Sequence, residues 1–147
     1  LVSLDQFSKA FLIEFLEAQP GYVFYINSFL DIVHTWNYGI SFGLFSEYQK
    51  YSNVIFLISN SLIILYLIVT YVLDEKSSKL YLLIISGGLG NLLDRIFRGA
   101  VFDFIHVHYQ NYHFPVFNIA DMLISIGICL FILEVFLKSS PKKSIST

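Results

Sequence analysis

Two aspartates, Asp103 and Asp121, stand 18 residues apart, each beside an apolar run, with a Tyr- and His-rich stretch between them. Asp103 lies among Val101, Phe102, Phe104 and Ile105 with no cation next to it in the sequence. An acid with apolar neighbours is a candidate for a raised pKa, because burial disfavours its charged form. If the intervening stretch folds back, the two carboxyls can meet. Close carboxyls do not readily ionise together and share a proton. One then acts as general base on a water while the other polarises a carbonyl, which is aspartic-protease chemistry. Asp121 has a second reading. Asn118 three residues before it imitates a capping box, and a helix N-terminus favours a carboxylate through its dipole. On sequence alone both readings stand.

A second polar constellation lies in Ser86-Gly-Gly-Leu-Gly-Asn-Leu-Leu-Asp-Arg95, on a run that otherwise reads as membrane-spanning. Charges and amides on such a segment are costly, and ionisable residues at membrane depth are functional candidates. Gly87, Asn91 and Asp94 or Arg95 recur at i, i+4 and i+7 or i+8, one face of a helix. Ser86 and Gly90 form a small-xxx-small pair that permits close helix approach. Packing explains the glycines, but not Asn91, because a buried amide needs partners.

Other chemistries fit less well. Cys129, inside an apolar run, reads as a small buried packing residue. There is no Gly-x-Ser-x-Gly elbow. His106, His108 and His113 suggest zinc, yet no His-Glu-x-x-His accompanies them, and an ordinary interfacial loop accounts for them. Neither a metal nor a cofactor is expected. Asp74 and Glu134 read as solvated helix ends.

The elements that must position these residues follow from composition. Of 147 residues 56% are hydrophobic and 14% charged, well below the roughly 25% charged of soluble domains. The net charge of −2 argues against a nucleic-acid partner. A single domain over 1–147 is expected. Three segments approach the roughly 20 residues a membrane crossing needs: 54–73, 80–97 and 119–137. A fourth, 1–16, opens on Leu1 and carries Asp5, Lys9 and Glu14. It reads as a spanning helix whose start lies further upstream rather than as a signal peptide. Within 17–51, Pro20-Gly21 precedes a β-branched and aromatic run, which predicts short strands with a turn around Asn37-Tyr-Gly39. That sheet, rich in Phe and Tyr, suits the membrane interface. Asp103 is expected in a loop between spans. The loop 74–79 and the tail 138–143 hold five lysines, and this bias favours a cytoplasmic tail. Residues 138–147 read as a disordered tail.

Taken together, the motifs resemble lipoprotein signal peptidase, also called signal peptidase II, over essentially the whole chain. Asp5-Gln-Phe-Ser-Lys9 resembles the family's Asp-x-x-x-Lys motif. Asn37-Tyr-Gly-Ile-Ser-Phe-Gly43 resembles its Asn-x-Gly-x-Ala-Phe-Gly motif, with Ser41 where Ala is usual and Gly39 at the motif's first glycine. Gly87-Gly-Leu-Gly-Asn-Leu-Leu-Asp-Arg95, Val101-Phe-Asp-Phe-Ile105 and Phe117-Asn-Ile-Ala-Asp121 match three more blocks. The resemblance implies an all-α membrane protein of four transmembrane helices, with both termini cytoplasmic. It implies a small extracytoplasmic β-sheet cradle and a short interfacial helix. The implied location is the bacterial inner membrane, multi-pass, with the site facing outward. It implies an intramembrane aspartic endopeptidase, with Asp103 and Asp121 as the catalytic dyad. Asn37, Gly39, Asn91, Asp94, Arg95 and Asn118 would surround the site, and Asp5 and Lys9 would support it. The implied substrate is a diacylglyceryl-modified prolipoprotein, cut just before its lipidated Cys. Membrane lipids and the inhibitor globomycin are the other implied partners. Two rival readings are a small transporter or scaffold using the same polar residues, and a zinc hydrolase using the loop histidines.

Overall fold

The computed structural model describes residues 1–39, 49–74 and 78–139. Within them lie α1 (Val2–Glu17), a 3-10 turn (Pro20–Tyr22), β1 (Val23–Asn27), β2 (Leu30–Asn37), α2 (Gln49–Leu73), α3 (Tyr81–Phe97), β3 (Val101–Tyr109), β4 (Tyr112–His113) and α4 (Ile119–Ser139). Two helices are long and apolar enough to cross a membrane. They are Tyr51–Leu73, 23 residues of mean hydropathy 2.2, and Ile119–Lys138, 20 residues of mean hydropathy 2.3. At 1.5 Å per residue each reaches about 30 Å or more, the thickness of a bilayer's hydrocarbon core. α1 and α3 are shorter, at 16 and 17 residues.

The helices are built with apolar side chains outside. Leu62, Tyr66, Val72, Phe136 and Leu137 are exposed. The buried residues of α1 are Asp5, Lys9 and Leu16. Those of α3 include Gly87, Gly88, Gly90, Asn91, Asp94 and Arg95. Apolar surface of that extent suits lipid rather than water. Cys129 follows the same logic: it is exposed on α4, not buried as the sequence reading had it.

Glycine sets the helix spacing. A Cβ on Gly87 would lie 2.3 Å from the Ala120 carbonyl oxygen on α4, and one on Gly90 would lie 2.5 Å from Asp5 Oδ2 on α1. The close approach thus uses Gly87 and Gly90, whereas the expected pair was Ser86 and Gly90. Ser86 instead donates to the Leu82 carbonyl of its own helix.

The strands form one antiparallel sheet in the order β1-β2-β3-β4. Strands were expected within 17–51, and β1 and β2 are there. The other half of the sheet comes from the stretch that had been read as a loop, so Asp103 lies on a strand. It pairs with Thr35. Between Ile32↔Ile105 and Thr35↔Asp103, β2 spends three steps where β3 spends two. That bulge resets the alternation of β2 against β3. Phe102 and Phe104 form a core with Leu16 of α1, bordered by Leu12, Ile32 and Trp36. The turn expected at Asn37–Gly39 is present, with the Gly39 N–H donating to Asn37 Oδ1 at 2.8 Å. It ends β2 rather than folding the sheet, and the reversal between β1 and β2 falls at Ser28 and Phe29. Apart from the four α-helices, the helical structure among the described residues is the single turn Pro20–Tyr22. Residues 40–43 of the Asn37 motif and the tail beyond Ser139 lie outside the described residues.

Candidate active site

The site is assembled where β3 meets the start of α4. The segment leading into α4 is tied to β3 by its backbone. Phe117 accepts from the N–H groups of Phe104 (3.1 Å) and Ile105 (2.8 Å), and its own N–H donates to the Ile105 carbonyl. Those bonds carry Asn118 and Asp121 to the side of Asp103. Asp121 then falls in the first turn of α4, where exposed N–H groups and the helix dipole favour a carboxylate.

Asn118 touches both acids. It is fully buried. Its Nδ2 donates to Asp103 Oδ1 at 2.6 Å, and its backbone N–H donates to Asp121 Oδ2 at 3.1 Å. The Asp121 N–H returns a bond to Asn118 Oδ1 at 2.9 Å. The capping box is therefore real. The same Asn that caps α4 also holds Asp103, so capping and a paired-acid site coexist in one arrangement.

Two more amides complete the cradle. Asn37 Nδ2 donates to Asp103 Oδ2 at 2.9 Å. Asn91 Nδ2 donates to Asp121 Oδ1 at 2.8 Å, while Asn91 Oδ1 accepts from Asn118 Nδ2 at 3.1 Å and from Lys9 Nζ at 3.2 Å. Burial pushes the Asp103 carboxyl up to about 6. The Asn37 bond opposes the rise, the Asp121 charge adds to it, and the Asn118 bond and Lys9 oppose it. A carboxyl in that range exchanges its proton readily near neutrality, as a general acid or base must.

Arg95 is buried on α3 and close enough for its charge to act on Asp103, Asp121 and Asp94. Its NH1 donates to Asn53 Oδ1 at 3.1 Å, and its guanidinium lies 4.9 Å from the centroid of the Phe56 ring. Gly39 makes room for that ring. Its φ of +90° favours glycine, and a Cβ there would fall 2.2 Å from Phe56.

One opening reaches an acid and another lies beside Asn91 and Arg95. One, of about 420 Å³, is lined mainly by apolar groups, among them Phe114, Phe117, Met122 and Ile126, and reaches Asp121. The other, of about 280 Å³, is lined by Phe56, Ser59, Asn60, Ile63, Asn91 and Arg95. A pair of acids held by amides, Asp103 buried and Asp121 half-buried at an apolar cleft, can activate a water against a carbonyl presented from the lipid side.

Comparison with known proteins agrees with this chemistry. The family model described as signal peptidase (SPase) II matches residues 1–137. The chain belongs to the signal peptidase II family. That family membership makes it an aspartic-type endopeptidase. It is 53% identical to the lipoprotein signal peptidase of Rickettsia felis over 99% of this chain and 73% of that one. It is 54% identical to that of Rickettsia akari over 90% of this chain and 68% of that one. A solved structure described as a bacterial membrane enzyme superposes with a TM-score of 0.79 at 30% identity, covering 99% of this chain and 88% of that one.

Of the residues singled out in the sequence, Asp103, Asp121, Asn37, Asn91 and Asn118 form one hydrogen-bonded cluster, with Arg95 beside it. Asp5, Lys9 and Asp94 form a second, deeper cluster. Lys9 Nζ lies 2.9 Å from both Asp5 Oδ2 and Asp94 Oδ2, with all three side chains fully buried. The Ala120 N–H donates to Asp5, and the Phe102 N–H donates to Asp94. This second cluster therefore pins the residues next to Asp103 and Asp121.

Sequence reasoning missed three contributors. Gln6 donates to Asp94 and to the Gly90 carbonyl. Asn53 holds Arg95, although it lay one residue before the apolar run read as a span. Arg98, three residues beyond the Gly87–Arg95 block, pairs with Asp94 and donates to Gln6. The signal for Arg98 was its i, i+4 spacing from Asp94. Asp74, read as a solvated end, is exposed; Glu134, read likewise, is part-exposed and there accepts from Ser78 and pairs with Lys138.

Proposed function

We propose that Asp103 and Asp121 are the catalytic dyad of a peptidase that cuts diacylglyceryl-modified prolipoproteins just before the lipidated Cys. The observation that carries this reading is Asn118, which donates to one carboxylate through its side chain and to the other through its backbone. One carboxylate takes a proton from a water while that water's oxygen attacks the scissile carbonyl carbon. The protonated partner donates a hydrogen bond to the carbonyl oxygen as negative charge builds there. Collapse of the tetrahedral intermediate breaks the C–N bond, and the departing amine takes up a proton from the dyad. Arg95 supplies a fixed positive charge and planar donors beside the acids.

The chain is read as four spans in the bacterial inner membrane. α1 and α3 join the two apolar helices, and both termini face the cytoplasm. The sheet then lies on the outer face, where water reaches the acids. The apolar cleft beside Asp121 suits the substrate's acyl chains, and the strand edge near Asn37 suits its peptide. The chain acts as one domain, without a catalytic cofactor.

The deciding experiment incubates purified protein in detergent with a diacylglyceryl-prolipoprotein and with the same protein unlipidated. Release of the signal peptide from the lipidated form alone, blocked by globomycin, is the expected result. Equal cleavage of both forms, or normal cleavage at saturating globomycin, would contradict the reading.

A further inference from the structure

On β3 the side chains of Asp103, Ile105 and Val107 alternate with those of Phe102, Phe104, His106 and His108. His106 and His108 therefore lie on the face of the strand away from Asp103. Their cross-strand partners add to them, since Asp31 pairs with His106 and His113 with His108. Three imidazoles and one carboxylate converge from β2, β3 and β4. The rings stack with centroids 5.1 Å apart for His106–His108, 5.2 Å for His106–His113 and 5.7 Å for His108–His113.

The cluster leaves hydrogen bonds unmade. Asp31 has a relative exposure of 6%, and its Oδ1 has no hydrogen-bond partner among the described residues. His108 Nε2 is also buried and unpartnered, although it sits 2.9 Å from Asp31 Oδ2, because the contact is misaligned for a hydrogen bond. His106 Nδ1 lies 3.5 Å from the same carboxylate oxygen. One ligand atom from each of Asp31, His106 and His108 falls within 4.8 Å of the others. Ligands about 2.1 Å from a tetrahedral zinc are roughly 3.4 Å apart, which the 2.9 and 3.5 Å contacts bracket. Unpaired buried groups cost free energy, and a cation bound by Asp31 Oδ2 would take up the unpartnered His108 Nε2 lone pair beside it.

We propose that Asp31, His106 and His108 bind one divalent cation of the zinc class, with a fourth position open to water. His106 Nε2 faces His113 Nδ1 at 3.1 Å. With Nδ1 on the metal, Nε2–H donates to His113 and fixes the ring, as outer partners of metal-bound imidazoles do. The site is not catalytic. It lies on the other face of the sheet and three residues along β3 from Asp103, about 10 Å. Its effect is mechanical. It ties β2 to β3 and, through His113, secures the two-residue strand β4. The residue after β4, Phe114, begins the wall of the apolar cleft that reaches Asp121.

The test uses the full chain in detergent, free of any affinity tag, stripped with chelator and titrated with zinc by calorimetry and with cobalt by visible absorption. One equivalent should bind and raise the melting temperature. Asp31→Asn and His108→Gln should each weaken binding at least tenfold. His113→Ala, at an exposed position and therefore safe for the fold, should weaken it roughly 10–100-fold. Asp103→Asn should bind zinc as the parent does. Absence of saturable binding, or binding unchanged in His113→Ala and His108→Gln, would overturn the proposal. So would loss of binding in Asp103→Asn, because it would place the metal at the dyad.

Discussion

The molecule holds two pairs of carboxylates, all buried but the half-buried Asp121, and treats the pairs in opposite ways. Asp5 and Asp94 share the Lys9 ammonium at 2.9 Å each, and Arg98 adds a second cation at Asp94. Among the described residues, Asp103 and Asp121 receive only amide donors, from Asn37, Asn91 and Asn118. No described salt bridge reaches either of them. A carboxylate balanced by a cation at contact distance is a fixed structural charge. One held by neutral donors keeps its place while its proton comes and goes. The two clusters meet at Asn91, which accepts from Lys9 and donates to Asp121. The first cluster builds the platform, and the second is the one we propose does the chemistry.

Substitutions should separate the two. The largest expected effect on turnover is at the amide-held pair. Asp103→Asn or Asp121→Asn should cut cleavage of a lipidated substrate by roughly three orders of magnitude or more while the protein stays folded, because an amide is neither base nor proton shuttle. At the cation-held pair the expected loss is of the fold. Lys9→Met leaves two buried carboxylates without their ammonium, a change that costs about 3–5 kcal/mol. Thermal melting in detergent measures it, and a Lys9→Met protein as stable as the parent would erase the distinction between the pairs.

Arginine offers a finer contrast. Arg95→Ala should lower cleavage strongly, and Arg95→Lys should restore only part of it, because lysine lacks the planar fork. Arg98→Ala should lower the melting temperature through Asp94 and leave turnover per folded molecule nearly unchanged. If Arg98→Ala proves the more damaging to turnover, Arg95 is no part of the site.

The smallest predicted effect is a shift in pH dependence. With the Asp103 carboxyl raised to about 6 by burial, the turnover profile should show a limb near that pH. The Asn37 bond favours the charged form, so Asn37→Ala should move the limb to higher pH. A limb that stays put or moves lower would mean that Asp103 does not set it. Chelator should leave turnover largely intact, since the acids need no metal.

Much of this was legible in the sequence where the information is local. The apolar runs of α2 and α4 follow from composition, and the buried face of α3 follows from the i, i+4 spacing of Gly87, Asn91 and Arg95. The capping of α4 by Asn118 was readable from three-residue spacing. What depended on distant partners was not. Asp103 was taken for a loop residue because its strand exists only by pairing with β2, 66 residues away at Asn37. The Asn53–Arg95 bond and the role of Gln6 likewise require the helices to be docked first. Cys129 was misplaced for a different reason: on a lipid-facing helix an apolar neighbourhood means the outside, the reverse of the rule for soluble proteins.

The most direct test of the central claim compares Asp103→Asn, Asp121→Asn and the double variant, at equal folded concentration, on a diacylglyceryl-prolipoprotein. Residues that work as one unit do not lose activity additively. The account predicts that each single variant is nearly inactive and that the double is little worse than either. Near-normal turnover in either single variant, or a double variant slower than the singles by the product of their losses, would show that Asp103 and Asp121 do not act as a dyad.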